Sequence, residues 1–239
     1  MNFVGVDACK KGWFAVALDR QGIRDIGIFK SIDALWRVFQ NATAIFIDMP
    51  IGLPYADKRR CDMETRKILN RRASCVFPVP CREALHASTY PQACRINEQV
   101  LGVKLTIQTW NISAKILEVD RFLSNNKQAR RRLRESHPEL CFWALAGGRT
   151  MAYPKKTAKG LVERRSVLAK NCPQTNEIVQ QALDQFQRKD LGRDDILDAM
   201  ALAISAKLGS NSSSSRTVPL NPPVDKKGLP MQIVYAVPG

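Results

Sequence analysis

Four aspartates, Asp7, Asp48, Asp195 and Asp198, stand where a carboxylate is hard to explain as ordinary surface. Asp7 ends the apolar run Phe3-Val4-Gly5-Val6, and Asp48 ends Ala44-Ile45-Phe46-Ile47. Asp198 lies inside an apolar stretch beside Ala199 and Met200, where a lone charge is costly. Asp195, three residues earlier, shares its helix face. If the two strands end on one side of a sheet, Asp7 and Asp48 repel each other, and neither has an Arg or Lys beside it in sequence. A divalent cation resolves that conflict, and hard oxygen ligands suit Mg²⁺ or Mn²⁺. With two ions, one activates an attacking water and the other stabilises the leaving oxygen of a phosphodiester.

Each acid also has a plainer explanation. Asp194 and Asp195 open a helix, where an acid caps free N–H groups and suits the dipole. Glu139, a fifth acid candidate, follows Pro138 and fits an exposed turn. His137 and His86 fit satisfied structural histidines better than an acid or base. Asp198 is the member for which the plain explanation is poorest.

The elements that must position these acids follow from the pattern. Phe3 to Asp7 and Trp13 to Leu18 form a hairpin about the basic turn Lys10-Lys11, and Ile23 to Phe29 alternates as a third strand. Ser31 caps an amphipathic helix over 32–40, with Leu35, Trp36 and Phe39 on one face. The strand ending in Asp48 follows, and a helical crossover makes it parallel to a neighbour. Residues 57–72 are expected as a very basic helix. Val76-Phe77-Pro78-Val79-Pro80 is a loop, because proline lacks a ladder donor. Helices are expected from about Arg82, over 92–101, over 112–123, over 159–170 and over 176–187. Residues 130–134 read as a basic patch, and 137–143 as a short strand or a turn into a helix. The stretch 194–208, apolar nearly all round, is a core helix that Gly209 ends. The division expected is a domain over 1–208 with a helical and loop insertion at 57–135, then a serine-rich connector and a C-terminal arm or hairpin over 209–239.

The chain of 239 residues carries 37 Lys and Arg against 22 Asp and Glu, a net charge of +15. A field of that sign attracts polyanions. The basic residues cluster, as at Lys58-Arg59-Arg60 and Arg71-Arg72. No apolar run approaches the roughly 20 residues that span a bilayer, and there is no export signal pattern at the start. The seven cysteines show no two-residue spacing of a zinc or redox motif, which suits reduced thiols in a cytoplasmic protein. Nothing in the pattern argues for an oligomer.

This order of elements resembles the ribonuclease H-like superfamily and, within it, the RuvC-type resolvases. The last helix carries Asp195-Ile196-Leu197-Asp198-Ala199-Met200-Ala201 where those proteins carry an Asp-x-x-Asp pattern. More closely, residues 3 to 208 look like a bacterial family of uncharacterised proteins taken to be ribonuclease H-like nucleases. The stretches that carry this are Gly5-Val6-Asp7 with Gly12-Trp13, Ile47 to Leu53, Arg60-Cys61-Asp62 with Arg66, Val76 to Pro80, Trp110-Asn111-Ile112 with Lys115, His137 to Leu140, and Lys159-Gly160 with Arg164. The resemblance implies an α/β fold with a five-stranded mixed sheet flanked by helices. It implies metal-binding acids at Asp7, Asp48, Asp198 and Asp195 or Asp194, and it marks Glu139. Where RuvC-type enzymes carry Glu on the second acidic strand, this chain has Asp48, one methylene shorter.

The expectation is therefore a metal-dependent nuclease acting on DNA or RNA. Asp7, Asp48, Asp195, Asp198 and Glu139 are its catalytic set, with Mg²⁺ or Mn²⁺ as cofactor. Lys10, Lys11, Arg59, Arg60, Arg66, Arg71, Arg72 and Lys115 are expected to meet the nucleic acid. One alternative is a nucleic-acid-binding protein with a degenerate site. Another is a phosphotransferase of the actin and sugar-kinase type, whose members carry two copies of such a core where this chain has one.

Overall fold

The chain's computed structural model describes residues 1–239, apart from the side chains of residues 23 and 24. Three successive antiparallel strands open it: β1 (Phe3–Cys9), β2 (Gly12–Leu18) and β3 (Ile23–Phe29). Helix α1 (Ile32–Phe39) crosses over, its first turn capped by the Ser31 hydroxyl accepting from the Ala34 N–H. Strand β4 (Ala44–Ile47) then pairs parallel to β1, as the crossover requires. A fifth strand, β5 (Leu133–Glu135), pairs parallel to β4 and completes a mixed sheet of order β3-β2-β1-β4-β5.

Among the described residues, eight α-helices flank this sheet. One face is covered by α1 and by α4 (Ile107–Asn125), whose Ile116, Val119, Phe122 and Leu123 pack on Val4, Val6, Ile45 and Ile47. The other face carries α5 (Pro138–Leu145), α6 (Ala158–Asn171), α7 (Thr175–Gln185) and α8 (Arg193–Leu208). Helix α8 lies across β1, β2 and β4, and every residue from Ile196 to Ala206 is buried. Helices α2 (Arg60–Leu69) and α3 (Tyr90–Leu101) lie between β4 and α4 in the chain.

Several expectations change. The basic helix expected over 57–72 is shorter, and a 3-10 turn over Asn70–Cys75 replaces its end. The helix expected from Arg82 is a single 3-10 turn, Glu83–His86. Residues 138–143 are helical, and no strand forms there. The stretch 57–135 is not all an insertion, because its end supplies α4 and β5, which are parts of the sheet and its cover. The basic patch hides β5 because Leu133 and Glu135 point inward while Arg134 points to solvent.

The tail forms its own two-stranded ladder, β6 (Ser215–Val218) with β7 (Ile233–Ala236). Hydrogen bonds anchor β7 to the main body. The Ala236 N–H donates to Ser205 Oγ of α8 at 2.8 Å, and Ser136 Oγ donates to the Val234 carbonyl at 2.6 Å. Between the strands, buried Asp225 accepts the N–H of Leu53, Lys227 and Leu229 and pairs with Arg82. Among the described residues, no helix is long and apolar enough to cross a membrane.

Candidate active site

The site starts from the pleat. Side chains along β1 alternate, so Phe3, Gly5, Asp7 and Cys9 share the face toward α8, and Val4 and Val6 share the other. Gly5 makes the helix approach possible: a Cβ there would stand 2.0 Å from the Ala199 carbonyl oxygen and 2.2 Å from the Ala203 nitrogen. Two residues on, Asp7 meets the next turn of α8 back toward its N-terminus, where Asp198 and Asp195 lie. On β4, Phe46 faces α8 and Ile45 and Ile47 face away, so Asp48 takes the α8 side. The parallel register pairs Val6 with Ile47, and the Asp48 N–H donates to the Val6 carbonyl at 2.9 Å, which makes Asp7 and Asp48 neighbours one step further. The structure thus brings Asp7, Asp48, Asp198 and Asp195 to one lip of the sheet.

Electrostatics reflects the crowding. Burial raises the Asp7 carboxyl well above the ordinary range, and Asp48, Asp198 and Asp195 push it the same way. Burial also raises Asp48, against the pull of His137 and Lys155. Asp198 is pushed up to about 6 by burial, with Lys155 opposing and Asp48 and Asp194 adding to the rise. A cation that joins these acids offsets their repulsion and favours their charged forms.

One cation already does. Lys155 Nζ donates to Asp198 Oδ2 at 2.6 Å and lies 3.6 Å from Asp194 Oδ2. Nothing in the sequence pattern marks this lysine, which sits in the polar loop between α5 and α6. The loop is cradled by α6. Glu163 accepts the N–H of Ala152 and Tyr153, and Arg164 donates to the Tyr153 carbonyl. Gly160 packs so close to Pro154 that a Cβ would stand 2.0 Å from its carbonyl oxygen.

Two expected acids do other work. Asp195 Oδ2 accepts the Gly192 N–H at 2.9 Å, closing the first turn of α8. One of its oxygens therefore serves the cap that the plainer explanation assigned to it. Glu139 is buried and does not occupy an exposed turn. Arg164 grips it through both oxygens, at 3.1 and 2.8 Å, and Arg72 holds it at 3.0 Å. It does not line the cavity above the aspartates.

That cavity, of about 240 Å³, is lined by Asp7, Asp48, Asp195 and Lys155 on one side. Asp62, Glu135 and His137 line the other, and residues 75–79 form a wall. The wall is tied down by Arg66 donating to the Val76 carbonyl, Thr109 to that of Pro78, and a contact of His137 Nε2 with that of Cys75. His137 Nδ1 is buried without a partner. Behind this side Arg59 bridges Glu135 at 2.5 Å and Asp62 at 3.2 Å. Burial pushes Glu135 up to about 7 despite that arginine. Glu135 does not stand out in the sequence, because it follows a basic stretch, and Asp62 is marked only as part of Arg60-Cys61-Asp62; the Arg59–Asp62 spacing of one helical turn was the available signal for their pairing.

The basic residues divide. Arg59 is 2% exposed, with Nη2 on its two acids, Nε on Cys61 Sγ and Nη1 on the Gly52 carbonyl, so the expectation that it meets phosphate is corrected. Lys115 is corrected likewise: its ammonium donates to the Gly12 carbonyl at 2.6 Å and covers the Trp13 ring. Lys11 pairs with Asp190, Arg60 with Glu64 and Arg72 with Glu139. Lys10, Arg60, Arg66 and Arg71 are exposed.

The donor chemistry fits a hard divalent cation, since buried carboxylates that repel one another gather on one lip and already attract an ammonium. As the side chains stand, no group of three or more His, Cys, Asp or Glu among the described residues is arranged to hold a metal ion. In comparisons with known proteins, the model of a family described as "Protein of unknown function (DUF429)" matches residues 5–223. No curated protein and no solved structure matches the chain significantly.

Proposed function

The chain belongs to the DUF429 family, and from that premise and the site's geometry we propose that it is a metal-dependent nuclease of the ribonuclease H-like kind. The observation that carries this reading is the convergence of Asp7 and Asp48, from adjacent parallel strands, with Asp198 of α8. A five-stranded mixed sheet with acids at the ends of its first and fourth strands and on its last long helix is the arrangement that the sequence resemblance leads one to expect.

In this reading Asp7, Asp48 and Asp198 hold Mg²⁺ or Mn²⁺. When bound, the ions would supply Lewis acidity toward a phosphodiester and lower the pKa of a bound water. The protein's own part is to position and to shield. Gly5 fixes the distance between β1 and α8, and Asp195 fixes the first turn of α8. The wall at residues 75–79 limits water around the acids. The exposed arginines of α2 and the following turn supply positive charge for the flanking phosphates, which position a nucleic acid without reading its sequence.

Incubation of the purified protein with labelled single-stranded, duplex and branched DNA and RNA, with and without Mg²⁺ or Mn²⁺, tests the reading. Cleavage that needs the metal is expected. Binding without cleavage under any metal favours a binding protein instead, and ATP hydrolysis without nucleic acid favours a phosphotransferase.

A further inference from the structure

Lys155 and Glu139 pose one question together. A buried glutamate held by two arginines sits behind the site, and a lysine from a neighbouring loop sits inside it. The chain of contacts joining them is continuous. Glu139 receives both of its Arg164 hydrogen bonds from Nη2. The other terminal nitrogen of Arg164, Nη1, donates to the carbonyls of Tyr153 at 3.0 Å and Gly160 at 3.3 Å. Tyr153 is two residues before Lys155. The Thr157 side chain caps α6 by accepting the Gly160 N–H, and it donates to the carbonyl of Pro154, the residue just before the lysine. The backbone on both sides of Lys155 is therefore fixed to α6, and α6 is fixed to α5 through Glu139.

The lysine so fixed points at the acids that the proposed function assigns to metal. Its ammonium is 2.6 Å from Asp198 Oδ2, and its side chain stays partly exposed at the cavity edge. An ammonium and a divalent ion cannot both take the same carboxylate oxygen at contact distance, and like charges at such range repel strongly.

We propose that Lys155 is a tethered cation that holds the aspartate cluster together before metal arrives and competes with the divalent ion for Asp198. Glu139, acting through Arg164, is the positioning residue that keeps it there. The inference rests on the metal-dependent reading of the site. It assigns Glu139 a role without direct contact to metal or substrate, in place of the catalytic role that the sequence suggested. It also makes loading of the site a matter of displacing one side chain, on a loop held by specific hydrogen bonds.

The test is a titration of the full-length protein with Mn²⁺ alone, followed by calorimetry and by the electron paramagnetic resonance signal of free Mn²⁺. Wild type, Lys155→Met, Lys155→Arg, Glu139→Gln and the double variant Lys155→Met with Glu139→Gln are compared, each with its fold checked by circular dichroism. Lys155→Met is expected to bind Mn²⁺ at least about tenfold more tightly, since it removes a charge at contact range. Lys155→Arg, which keeps the charge, stays near wild type. Glu139→Gln tightens binding by a smaller factor, and adding it to Lys155→Met changes nothing further. Equal or weaker Mn²⁺ binding by Lys155→Met overturns the competition while leaving the metal site standing. An additive effect of Glu139→Gln on top of Lys155→Met overturns its action through the lysine. If neither wild type nor Lys155→Met binds Mn²⁺ at millimolar concentration, the metal reading and this inference fall together.

Discussion

Gly5 of β1 lies directly beneath Ala199 of α8, so close that a methyl group on Gly5 would stand 2.0 Å from the Ala199 carbonyl oxygen. The absent side chain sets the spacing of strand and helix, and that spacing brings Asp198 of α8 close enough to Asp7 for the two carboxylates to repel each other. Gly5→Ala is expected to lower stability by about 3 kcal/mol or more, the upper range for overpacking against backbone. Gly147→Ala, at a left-handed position with open space around it, should lose only about 1 kcal/mol. Urea unfolding of the two variants checks the contrast; equal losses would show that the helix yields to the methyl group.

Arg59 is expected to govern stability and not binding. Arg59→Met leaves Glu135 and Asp62 buried without their cation, a loss of about 3–5 kcal/mol. Its neighbour Arg60, exposed and paired with Glu64, should change stability by less than about 0.5 kcal/mol when replaced by alanine. Thermal unfolding separates them, and a mild Arg59→Met would contradict the buried network.

Glu135 gives a pH dependence with a definite sign. Its folded carboxyl is raised from the ordinary 4.5 to about 7, so between those values the folded state holds the proton more tightly than the unfolded state. Its contribution is therefore most favourable at low pH and is lost as pH rises through about 7, by on the order of 3 kcal/mol. Glu135→Gln should flatten the fall in stability between pH 4.5 and 7, whatever its effect on absolute stability. Denaturant melts across that window measure the slope; an unchanged slope would show that Glu135 is ionised throughout.

The exposed arginines and lysine carry the nucleic-acid prediction. Replacing Lys10, Arg60 and Arg71 by alanine should weaken binding to any sequence. It should also reduce the slope of log affinity against log salt by about one for each phosphate that loses its cationic partner. Fluorescence anisotropy from 50 to 200 mM salt, about the range over which such pairing tells, measures it. Unchanged affinity and slope would make these residues a solvated face.

Much of this was legible in the chain because its signals are local. Strands β1, β2 and β4 are short apolar runs, α8 is apolar all round, and the Ser31 cap follows from one hydroxyl before an amphipathic stretch. Strand β5 was not legible: it is three residues long, its middle residue is Arg134, and its neighbours on both sides are arginines or loop. Lys155 was not legible either, because its meaning comes from Asp198, 43 residues away, and from a loop without periodicity. Glu139 was visible as an acid of interest, but its partners, Arg72 and Arg164, lie 67 and 25 residues distant, and only the fold shows that it is neutralised. The same holds for Arg59, whose basic surroundings suggest a surface patch that its burial removes.

The central claim is that Asp7 and Asp48 form the heart of a metal-dependent phosphodiester hydrolase. The most direct measurement is cleavage of labelled single-stranded and branched nucleic acid in Mn²⁺ by wild type, Asp7→Asn and Asp48→Asn, each shown to be folded. The account predicts cleavage by wild type that chelation abolishes, and a loss of at least about a hundredfold in each variant with nucleic-acid binding retained. Cleavage that survives in both variants, or that proceeds unchanged in the presence of a chelator, would contradict it.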